Sequence, residues 1–288
     1  MAAVSGPVDE TRLEAGLLAL TSRGYQVVEA SNLRRRDGFL AGADAERAAG
    51  YRELVNDRGV DAIFFARGGY GASRILRFLR AEEIRSSPKI HLGGSDLTAL
   101  FAYVATHASL ATFYGPLVSL QLADARPLDW EAVLSGALPA PHSVAPDEVL
   151  CGGAGEGPVV GGCLSLIASL CGTPEAIRGE GAVLFWEDIG EETYRLDRML
   201  TQLERSGTFD GLQAMVIGSV APGRRGVESE EDVRAWLRLR FVSAPFPVAM
   251  GFPAGHLDST RTIPLGVHVR VAVGTEGGRI EFPEAAVE

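Results

Sequence analysis

Residues 89–100, KIHLGGSDLTAL, combine a short apolar run, a glycine pair, a serine and the beginning of a helical pattern. After Ser95 the apolar residues recur with the i, i+3, i+4, i+7 spacing of an amphipathic helix. These residues are Leu97, Leu100, Phe101 and Val104. Two glycines permit a turn that would be too tight for residues with a Cβ. The pattern predicts a buried strand, a sharp turn that lifts the Ser95 hydroxyl off the end of a sheet, and a helix.

A turn of this kind is typical of a nucleophile elbow, in which a serine stands between a strand and a helix. The usual pattern Gly-x-Ser-x-Gly is not met, because Leu97 stands two residues after Ser95. Serine is also a common helix N-cap, and Asp96 suits the first turn of a helix. The stretch by itself therefore leaves open whether Ser95 is a nucleophile or a cap.

The composition is that of a globular protein, with 46% hydrophobic and 22% charged residues in 288, a length that favours two domains. Acidic residues outnumber basic ones 37 to 27, which argues against general binding to nucleic acid or to an anionic membrane. Lys89 is the single lysine in the sequence. The chain therefore has no Gly-Lys-Ser/Thr phosphate loop, and Schiff-base chemistry could use only this residue.

The three cysteines, Cys151, Cys163 and Cys171, show neither a C-x-x-C motif nor a zinc-binding spacing. We interpret them as free thiols in a reducing compartment and expect no metal site. The sequence has no pattern of a secretory signal and no apolar run of membrane-spanning length. These features lead us to expect a cytoplasmic protein.

Strands alternate with helices over residues 1–121, which predicts an N-terminal α/β domain with a doubly wound parallel sheet. The predicted strands lie at 2–4, 25–29, 60–66 and 89–92, and the stretch Ala111-Thr112-Phe113-Tyr114-Gly115-Pro116 follows them. Residues 122–158 are rich in Ala, Pro and Gly, and we interpret them as a linker that includes a mobile segment. Residues 159–288 predict a smaller, β-rich α/β domain that ends in alternating, antiparallel strands.

A serine nucleophile needs a base, and the base needs an acceptor that orients it. Glu187 directly follows the apolar strand predicted at 181–186, although it could also be a first-turn acid of the next helix. His256 stands in a glycine-bearing loop after another strand, where it could equally be an ordinary loop residue. The order Ser95, Glu187, His256 at three strand ends favours a catalytic triad.

The turn after the strand at 60–66 has the sequence Arg67-Gly68-Gly69-Tyr70-Gly71. We predict that the oxyanion hole consists of the N–H of Asp96 and an N–H of Gly68 or Gly69. Arg67 and Tyr70 are our candidates for substrate binding, because a guanidinium suits the terminal carboxylate of a peptide.

Several motifs along nearly the whole chain resemble the serine LD-carboxypeptidase family, which includes the murein tetrapeptide carboxypeptidases and the microcin-immunity peptidases. The motifs are Val4-Ser5-Gly6-Pro7, Phe39-Leu40-Ala41-Gly42, Ala66–Gly71, Gly94–Leu100, Gly161-Gly162 with Leu164-Ser165-Leu166, Glu187–Glu192, Gly255-His256 and Ile263-Pro264-Leu265-Gly266. Their number, order and spacing make the resemblance specific.

The resemblance implies a Ser-Glu-His triad carried by Ser95, Glu187 and His256, with an N-terminal parallel α/β domain and a β-rich C-terminal domain. It implies hydrolysis of the amide between an L-configured centre and a terminal D-amino acid, as in murein tetrapeptide recycling. It further implies a small peptide substrate, no metal or other cofactor, a cytoplasmic location and a homodimer. Two positions depart from the family pattern, since Tyr114 replaces the usual His and Cys163 the usual Asn.

Two alternatives stay open at this point. The same triad could hydrolyse a peptidyl-nucleotide amide of the microcin type. In a different class of protein, the glycine turn at residues 67–71 could hold a phosphate in a non-catalytic nucleotide-binding protein. The turn lacks the Gly-x-Gly-x-x-Gly pattern and the lysine of a phosphate loop, which disfavours this second alternative.

Overall fold

The structure, a computed structural model, describes residues 1–124, 126, 128–223 and 228–287. It consists of two compact units. Unit 1 contains Met1–Trp130 and Asp258–Ile263, and unit 2 contains Glu131–Leu257 and Pro264–Glu288. No helix among the described residues has the length and apolar character needed to cross a membrane.

The elements are numbered in chain order. The helices are α1 (Glu10–Thr21), α2 (Asp44–Asn56), α3 (Ala72–Ile75), α4 (Ala81–Ser86), α5 (Thr98–Tyr103), α6 (Trp130–Leu134), α7 (Leu164–Ser169), α8 (Thr193–Arg205) and α9 (Glu230–Phe241). The strands are β1 (Ala62–Phe64), β2 (Ile90–Gly93), β3 (Thr112–Tyr114), β4 (His142–Val144), β5 (Val149–Cys151), β6 (Gly153–Cys163), β7 (Val183–Glu191), β8 (Ala214–Pro222), β9 (Val248–Ala249), β10 (Ile263–Leu265), β11 (His268–Gly274) and β12 (Gly277–Glu281).

Unit 1 is built on strands β1, β2 and β3, which lie side by side in this order. Strands β1, β2 and β3 are parallel, with Phe64 opposite Leu92 and Leu92 opposite Phe113. The strands consist almost wholly of apolar residues because a parallel sheet is covered on both faces. A 3-10 turn over Ser95–Leu97 follows β2 and leads into α5, so the predicted strand, turn and helix are confirmed.

The core of unit 1 contains a buried polar pair, His91 on β2 and Tyr51 on α2. His91 is fully buried, its Nδ1 lies 2.9 Å from the carbonyl oxygen of Lys89, and its Nε2 lies 2.8 Å from the hydroxyl of Tyr51. A carbonyl can only accept, so Nδ1 carries the proton and Nε2 accepts from Tyr51. Burial lowers the pKa of His91 to about 4, against the smaller effect of the Lys89 hydrogen bond. The ring is therefore neutral at physiological pH.

Two predicted strands at the start of the chain are not formed. Residues 25–29 run without a ladder, and the segment at 2–4 contributes only an isolated parallel bridge between Ala2 and Phe65. Backbone hydrogen bonds join Met1 to Val28 and to Ala30, and no continuous pairing extends beyond them. Residues 25–29 do not form a strand because none of the described strands pairs with them.

Unit 2 is built on an eight-stranded mixed sheet in the order β4-β12-β11-β6-β7-β8-β9-β5. The four central strands, β6 to β9, are parallel, whereas β11, β12, β4 and β5 pair antiparallel. Side chains of α7, α8 and α9 pack with the central strands into one apolar cluster. Its members include Leu164, Ile167, Trp186, Leu196, Leu200, Met215, Ile217, Val233, Leu237 and Phe241. The prediction of an α/β protein with a mostly parallel N-terminal sheet and a β-rich C-terminal domain is confirmed.

The unit boundaries differ from the predicted division into 1–121, a linker at 122–158, and 159–288. The segment predicted as a linker contains α6, β4, β5 and the first half of β6. Strand β6 could not be recognised in the sequence, because its glycines have no side chains that could show an alternating apolar and polar pattern. They also permit close packing, since a Cβ on Gly155 would lie 2.0 Å from the carbonyl oxygen of Gln213, and one on Gly157 would lie 2.2 Å from that of Gly181.

Candidate active site

Ser95 has a left-handed backbone conformation, with φ = 60°. Among the described residues only one other non-glycine residue, Ser109, has a positive φ. Such a conformation costs about 1–3 kcal/mol and is concentrated at functional sites. The helical turn that follows has Gly94 at its N-cap position, so of the two roles left open for Ser95 the structure does not support that of the cap. The strained serine between a strand and a helix is the geometry of a nucleophile elbow.

Two side chains bind the backbone of Ser95 on either side. The N–H of Ser95 donates to the hydroxyl of Tyr114 at 2.8 Å, and the hydroxyl of Thr98 donates to the Ser95 carbonyl oxygen at 2.7 Å. Sequence analysis noted Tyr114 only as a departure from a family pattern. Its contact with Ser95 joins the end of β3 to the turn after β2, so no local signal in the sequence indicates it.

The turn at Gly68 packs directly against the serine. A Cβ on Gly68 would lie 2.8 Å from Cβ of Ser95, 3.0 Å from its Oγ and 3.5 Å from the backbone nitrogen of Asp96. Any side chain at this position would therefore displace the serine. Gly68 in turn accepts a hydrogen bond from the N–H of Gly6 at 3.1 Å, which ties the turn to the N-terminal segment.

The N–H groups predicted for the oxyanion hole lie in this region of unit 1. Those of Gly68, Gly69 and Asp96 donate to no acceptor among the described residues. Unsatisfied backbone donors at the end of a strand can stabilise the negative charge that develops on a substrate oxygen.

The carboxylate of Asp96 holds three segments of unit 1 together. The side chain is 1% exposed, and its Oδ2 accepts from the hydroxyl of Ser5 at 2.5 Å and from the N–H of Ala72 at 2.7 Å. Ala72 begins α3, directly after the glycine turn at residues 67–71. The acid beside the serine therefore fixes both the N-terminal segment and that turn. This role is not evident from the sequence, which indicated Asp96 only as a first-turn acid and as the donor of a backbone N–H to the oxyanion.

Arg67 and Tyr70, the predicted substrate-binding residues, flank Gly68 and Gly69. Nη1 of Arg67 donates to the carbonyl oxygen of Pro7 at 3.0 Å, and no acidic side chain among the described residues forms an ion pair with it. Tyr70 is 50% exposed, and its ring lies 5.9 Å from that of Phe39. Both side chains are thus available to a ligand.

Glu187 and His256 are hydrogen-bonded to each other in unit 2. Oε2 of Glu187 lies 2.8 Å from Nδ1 of His256 and accepts from the backbone N–H of His256 at 3.1 Å. Glu187 is fully buried, whereas 26% of the His256 side chain is exposed. Because a carboxylate accepts at Nδ1, the proton of the neutral ring lies there and Nε2 is left as the basic nitrogen. This is the orienting contact that a catalytic histidine requires.

The electrostatic surroundings favour a charged imidazole. Burial is the largest single influence and opposes the charge, but the hydrogen bond and charge of Glu187, with a smaller effect of Asp188, outweigh it. The pKa of His256 is therefore raised above its ordinary value. A histidine tuned in this direction is a stronger base than a free imidazole.

Glu187 lies at a register shift between β7 and β8. Strand β7 does not end at Trp186, as predicted, but continues to Glu191. Its pairing with β8 shifts register between Trp186, which is opposite Ile217, and Asp188, which is opposite Val220. Glu187 therefore faces two residues, Gly218 and Ser219, in a β-bulge, a feature that often redirects side chains near active sites.

Glycine 255 makes room for the pair. Its φ is 122°, and a Cβ there would lie 2.5 Å from both Oε2 of Glu187 and Oγ of Ser219. The residue before His256 must therefore be glycine on grounds of conformation and of space.

Cys163 lies opposite Glu187 in the pairing of β6 with β7. Its thiol lies 3.3 Å from Oγ of Ser165, and burial, together with the charges of Asp188 and Glu187, raises its pKa well above the usual value. Asp188 accepts from the N–H groups of Ser165 and Ile189, both at 2.8 Å, and burial raises its pKa. The thiol is thus neutral and lies on the strand next to Glu187.

The predicted site residues fall into two groups. Within unit 1 the structure brings Ser95, Asp96, Gly68 and Gly69 together, with Arg67 and Tyr70 on the same turn. Within unit 2 it brings Glu187 and His256 together. In the part of the chain that the structure describes, no cluster of three or more His, Cys, Asp or Glu side chains is placed to hold a metal ion.

An elbow serine and a buried Glu–His pair are features of serine hydrolases. Models of the LD-carboxypeptidase N-terminal and C-terminal domains match residues 1–115 and 156–271. The chain belongs to the LD-carboxypeptidase family, a family of serine peptidases.

Similar proteins of this family are known by name. A putative carboxypeptidase of Streptomyces coelicolor is 41% identical over 95% of this chain and 89% of its own. A probable murein peptide carboxypeptidase of Bacillus subtilis is 33% identical over 97% of this chain and 90% of its own. The crystal structure of muramoyltetrapeptide carboxypeptidase from Oxalobacter formigenes matches 99% of this chain and 98% of its own, with a TM-score of 0.86 and 26% identity.

Proposed function

We propose that this protein is a serine LD-carboxypeptidase that acts on murein peptides. It hydrolyses the amide between an L-configured centre and the terminal D-amino acid. Family membership supports this substrate class, as do the names of two relatives, a probable murein peptide carboxypeptidase and a muramoyltetrapeptide carboxypeptidase. The proposal includes a cytoplasmic location and a homodimer, which the family resemblance implies.

In the proposed mechanism, Oγ of Ser95 attacks the carbonyl carbon of the scissile amide while Nε2 of His256 takes its proton. Glu187 holds the ring in the required tautomer and stabilises the imidazolium that forms. The N–H of Asp96 and an N–H of Gly68 or Gly69 bind the oxyanion. When the C–N bond breaks, His256 returns the proton to the leaving amine, and the terminal D-amino acid departs. Water, activated by the same histidine, then hydrolyses the acyl-serine ester.

Substrate binding involves the turn that carries Arg67 and Tyr70. The guanidinium of Arg67 binds the terminal carboxylate, which distinguishes an exopeptidase from an endopeptidase, and the exposed ring of Tyr70 contacts the peptide. A guanidinium that has no acidic partner among the described residues is suited to this role.

The observation that carries the proposal is the 2.8 Å contact between Glu187 and Nδ1 of His256. A histidine in a loop has many possible roles, but a buried carboxylate at Nδ1 selects the tautomer that a general base needs.

The decisive experiment is mass spectrometry of murein tetrapeptide incubated with the wild-type protein and with Ser95→Ala. We expect the wild type to release the terminal D-alanine and Ser95→Ala to lose activity by a factor on the order of 10⁴ or more. Ser109→Ala, which alters the other serine with a positive φ, is the matched control and should retain activity. Turnover by Ser95→Ala at the wild-type rate would refute the assignment. Cleavage of a peptidyl-nucleotide amide but not of murein peptides would instead change the substrate and keep the triad.

A further inference from the structure

The hydroxyl of Tyr114 lies directly beneath the nucleophile elbow. Tyr114 ends β3, is 2% exposed, and is paired with Gly93 of β2, two residues before Ser95. Its hydroxyl accepts the N–H of Ser95 at 2.8 Å. A Cβ on Gly94 would lie 3.4 Å from Cζ of Tyr114, so the phenol lies within van der Waals distance of the backbone at Gly94.

This hydrogen bond meets a specific need of the elbow. Ser95 has a left-handed conformation and lies beyond the end of β2, and its N–H donates to the side chain of Tyr114. A buried N–H without an acceptor is costly, and the strain of a positive φ persists only where the surroundings hold it. The phenol supplies the acceptor from a rigid position in the sheet.

The contact also limits which groups can bind the oxyanion. The N–H of Ser95 is occupied by Tyr114, whereas those of Asp96, Gly68 and Gly69 have no acceptor among the described residues. The N–H of Ser95 therefore holds the serine in place, whereas the N–H groups of Asp96, Gly68 and Gly69 are the ones that can donate to a substrate oxygen.

We infer that Tyr114 is a positioning residue, whose hydroxyl holds Ser95 in the conformation needed for attack. This inference rests on the proposed function, because it assigns Tyr114 a role toward the same nucleophile. It predicts that loss of the hydroxyl slows acylation without weakening substrate binding.

The test compares wild type with Tyr114→Phe, which removes the hydroxyl and retains the ring. We expect kcat for murein tetrapeptide and the rate of Ser95 labelling by a fluorophosphonate to fall about 10- to 100-fold, consistent with loss of a hydrogen bond to a buried group. We expect KM to change less than about twofold, because this interaction matters in the transition state rather than in binding.

A matched control is Tyr51→Phe, which removes another buried tyrosine hydroxyl of unit 1, the one bonded to His91. It should lower the thermal midpoint and leave the labelling rate unchanged, whereas a purely structural role for Tyr114 would give the two variants the same pattern. Incorporation of 4-fluorophenylalanine at position 114 fills the space of the hydroxyl with a poor acceptor. It should label as slowly as Tyr114→Phe and serves as the test if the phenylalanine variant fails to fold.

The outcomes separate this inference from the proposed function. If the wild type labels at Ser95 and both position-114 variants label at the wild-type rate, Tyr114 has no positioning role and the proposed function stands. If Ser95→Ala is labelled as readily as wild type, Ser95 is not the nucleophile and both are overturned.

Discussion

One oxygen of Glu187 accepts two hydrogen bonds from His256, one from the backbone N–H and one from Nδ1 of the ring. The first fixes where the residue lies and the second fixes how its ring is turned. Because both donors belong to one residue, a change at Glu187 alters the position and the protonation of the histidine together.

This relationship predicts the pH dependence of the reaction. The base must be neutral, and the pKa of His256 is raised, so activity is lost as pH falls through a value above 6.5. We expect the acidic limb of kcat/KM to have its midpoint above 6.5. Glu187→Gln should move this midpoint to lower pH and reduce kcat/KM by at least about 100-fold.

Glu156→Gln, on an exposed acid of β6 that pairs with Arg270, is the control and should leave the limb in place. The profile is measured with murein tetrapeptide, alongside an NMR titration of the ring. A limb at or below 6.5 in the wild type would contradict the prediction.

The space around the pair predicts that Gly255 is indispensable. In Gly255→Ala a methyl group would lie 2.5 Å from Oε2 of Glu187, on a backbone with φ = 122°. We expect activity to fall at least about 100-fold, because the carboxylate or the histidine must move. Gly274→Ala, at a glycine whose Cβ would meet nothing within 4 Å, should retain activity. Equal activity of the two variants would argue against the geometry of this loop.

The contacts of Asp96 predict a coupled effect on stability. Ser5→Ala removes one donor to its carboxylate and should cost about 1–2 kcal/mol of unfolding free energy. Asp96→Ala leaves the hydroxyl of Ser5 and the N–H of Ala72 without this acceptor and should cost more, about 3 kcal/mol. The double variant should be less destabilised than the sum, because both changes break the same bond. Urea denaturation measures all three, and strict additivity would show that the two side chains are not coupled.

The buried His91 predicts a loss of stability in acid. Its pKa is about 4 in the folded protein and 6.5 ordinarily, so unfolding takes up a proton between these values. The stability is fully present above pH 6.5 and is lost as pH falls toward 4, by about 3 kcal/mol in total. His256, with its raised pKa, contributes in the opposite sense, since its protonation stabilises the folded state below pH 6.5.

His91→Leu removes the titrating ring and isolates its contribution. This variant should be less stable at pH 7, because Tyr51 loses its acceptor, but its stability should depend less on pH between 6.5 and 4. His268→Gln, at an exposed position on β11, should preserve the wild-type slope. An unchanged slope in His91→Leu would refute the assignment of this acid sensitivity to His91.

The features that sequence analysis identified are those with a local pattern. The apolar run before Gly93 and the helical spacing after Ser95 predicted β2, the turn and α5. The family motifs identified the class of enzyme, and the comparisons confirm it. The assignment of Ser95, Glu187 and His256 as one triad stays a prediction.

What sequence analysis missed depends on contacts between distant segments. The carboxylate of Asp96 reaches Ser5, 91 residues away, and the hydroxyl of Tyr114 reaches the N–H of Ser95 from the next strand. The strand predicted at 25–29 is not formed, because a strand needs a pairing partner and the local sequence pattern does not show whether one exists. Strand β6 was not predicted because its glycines have no side chains that could form an alternating apolar and polar pattern.

The β-bulge opposite Glu187 sets a limit on how this protein can change in length. Deleting Gly218 or Ser219 would restore one-to-one pairing between Trp186 and Asp188, and Glu187 would lose the bulge that redirects its side chain. An insertion in an exposed loop has no such effect. Homologous enzymes that keep the carboxylate in place should therefore vary in length at their loops while the residue count of this strand stays constant.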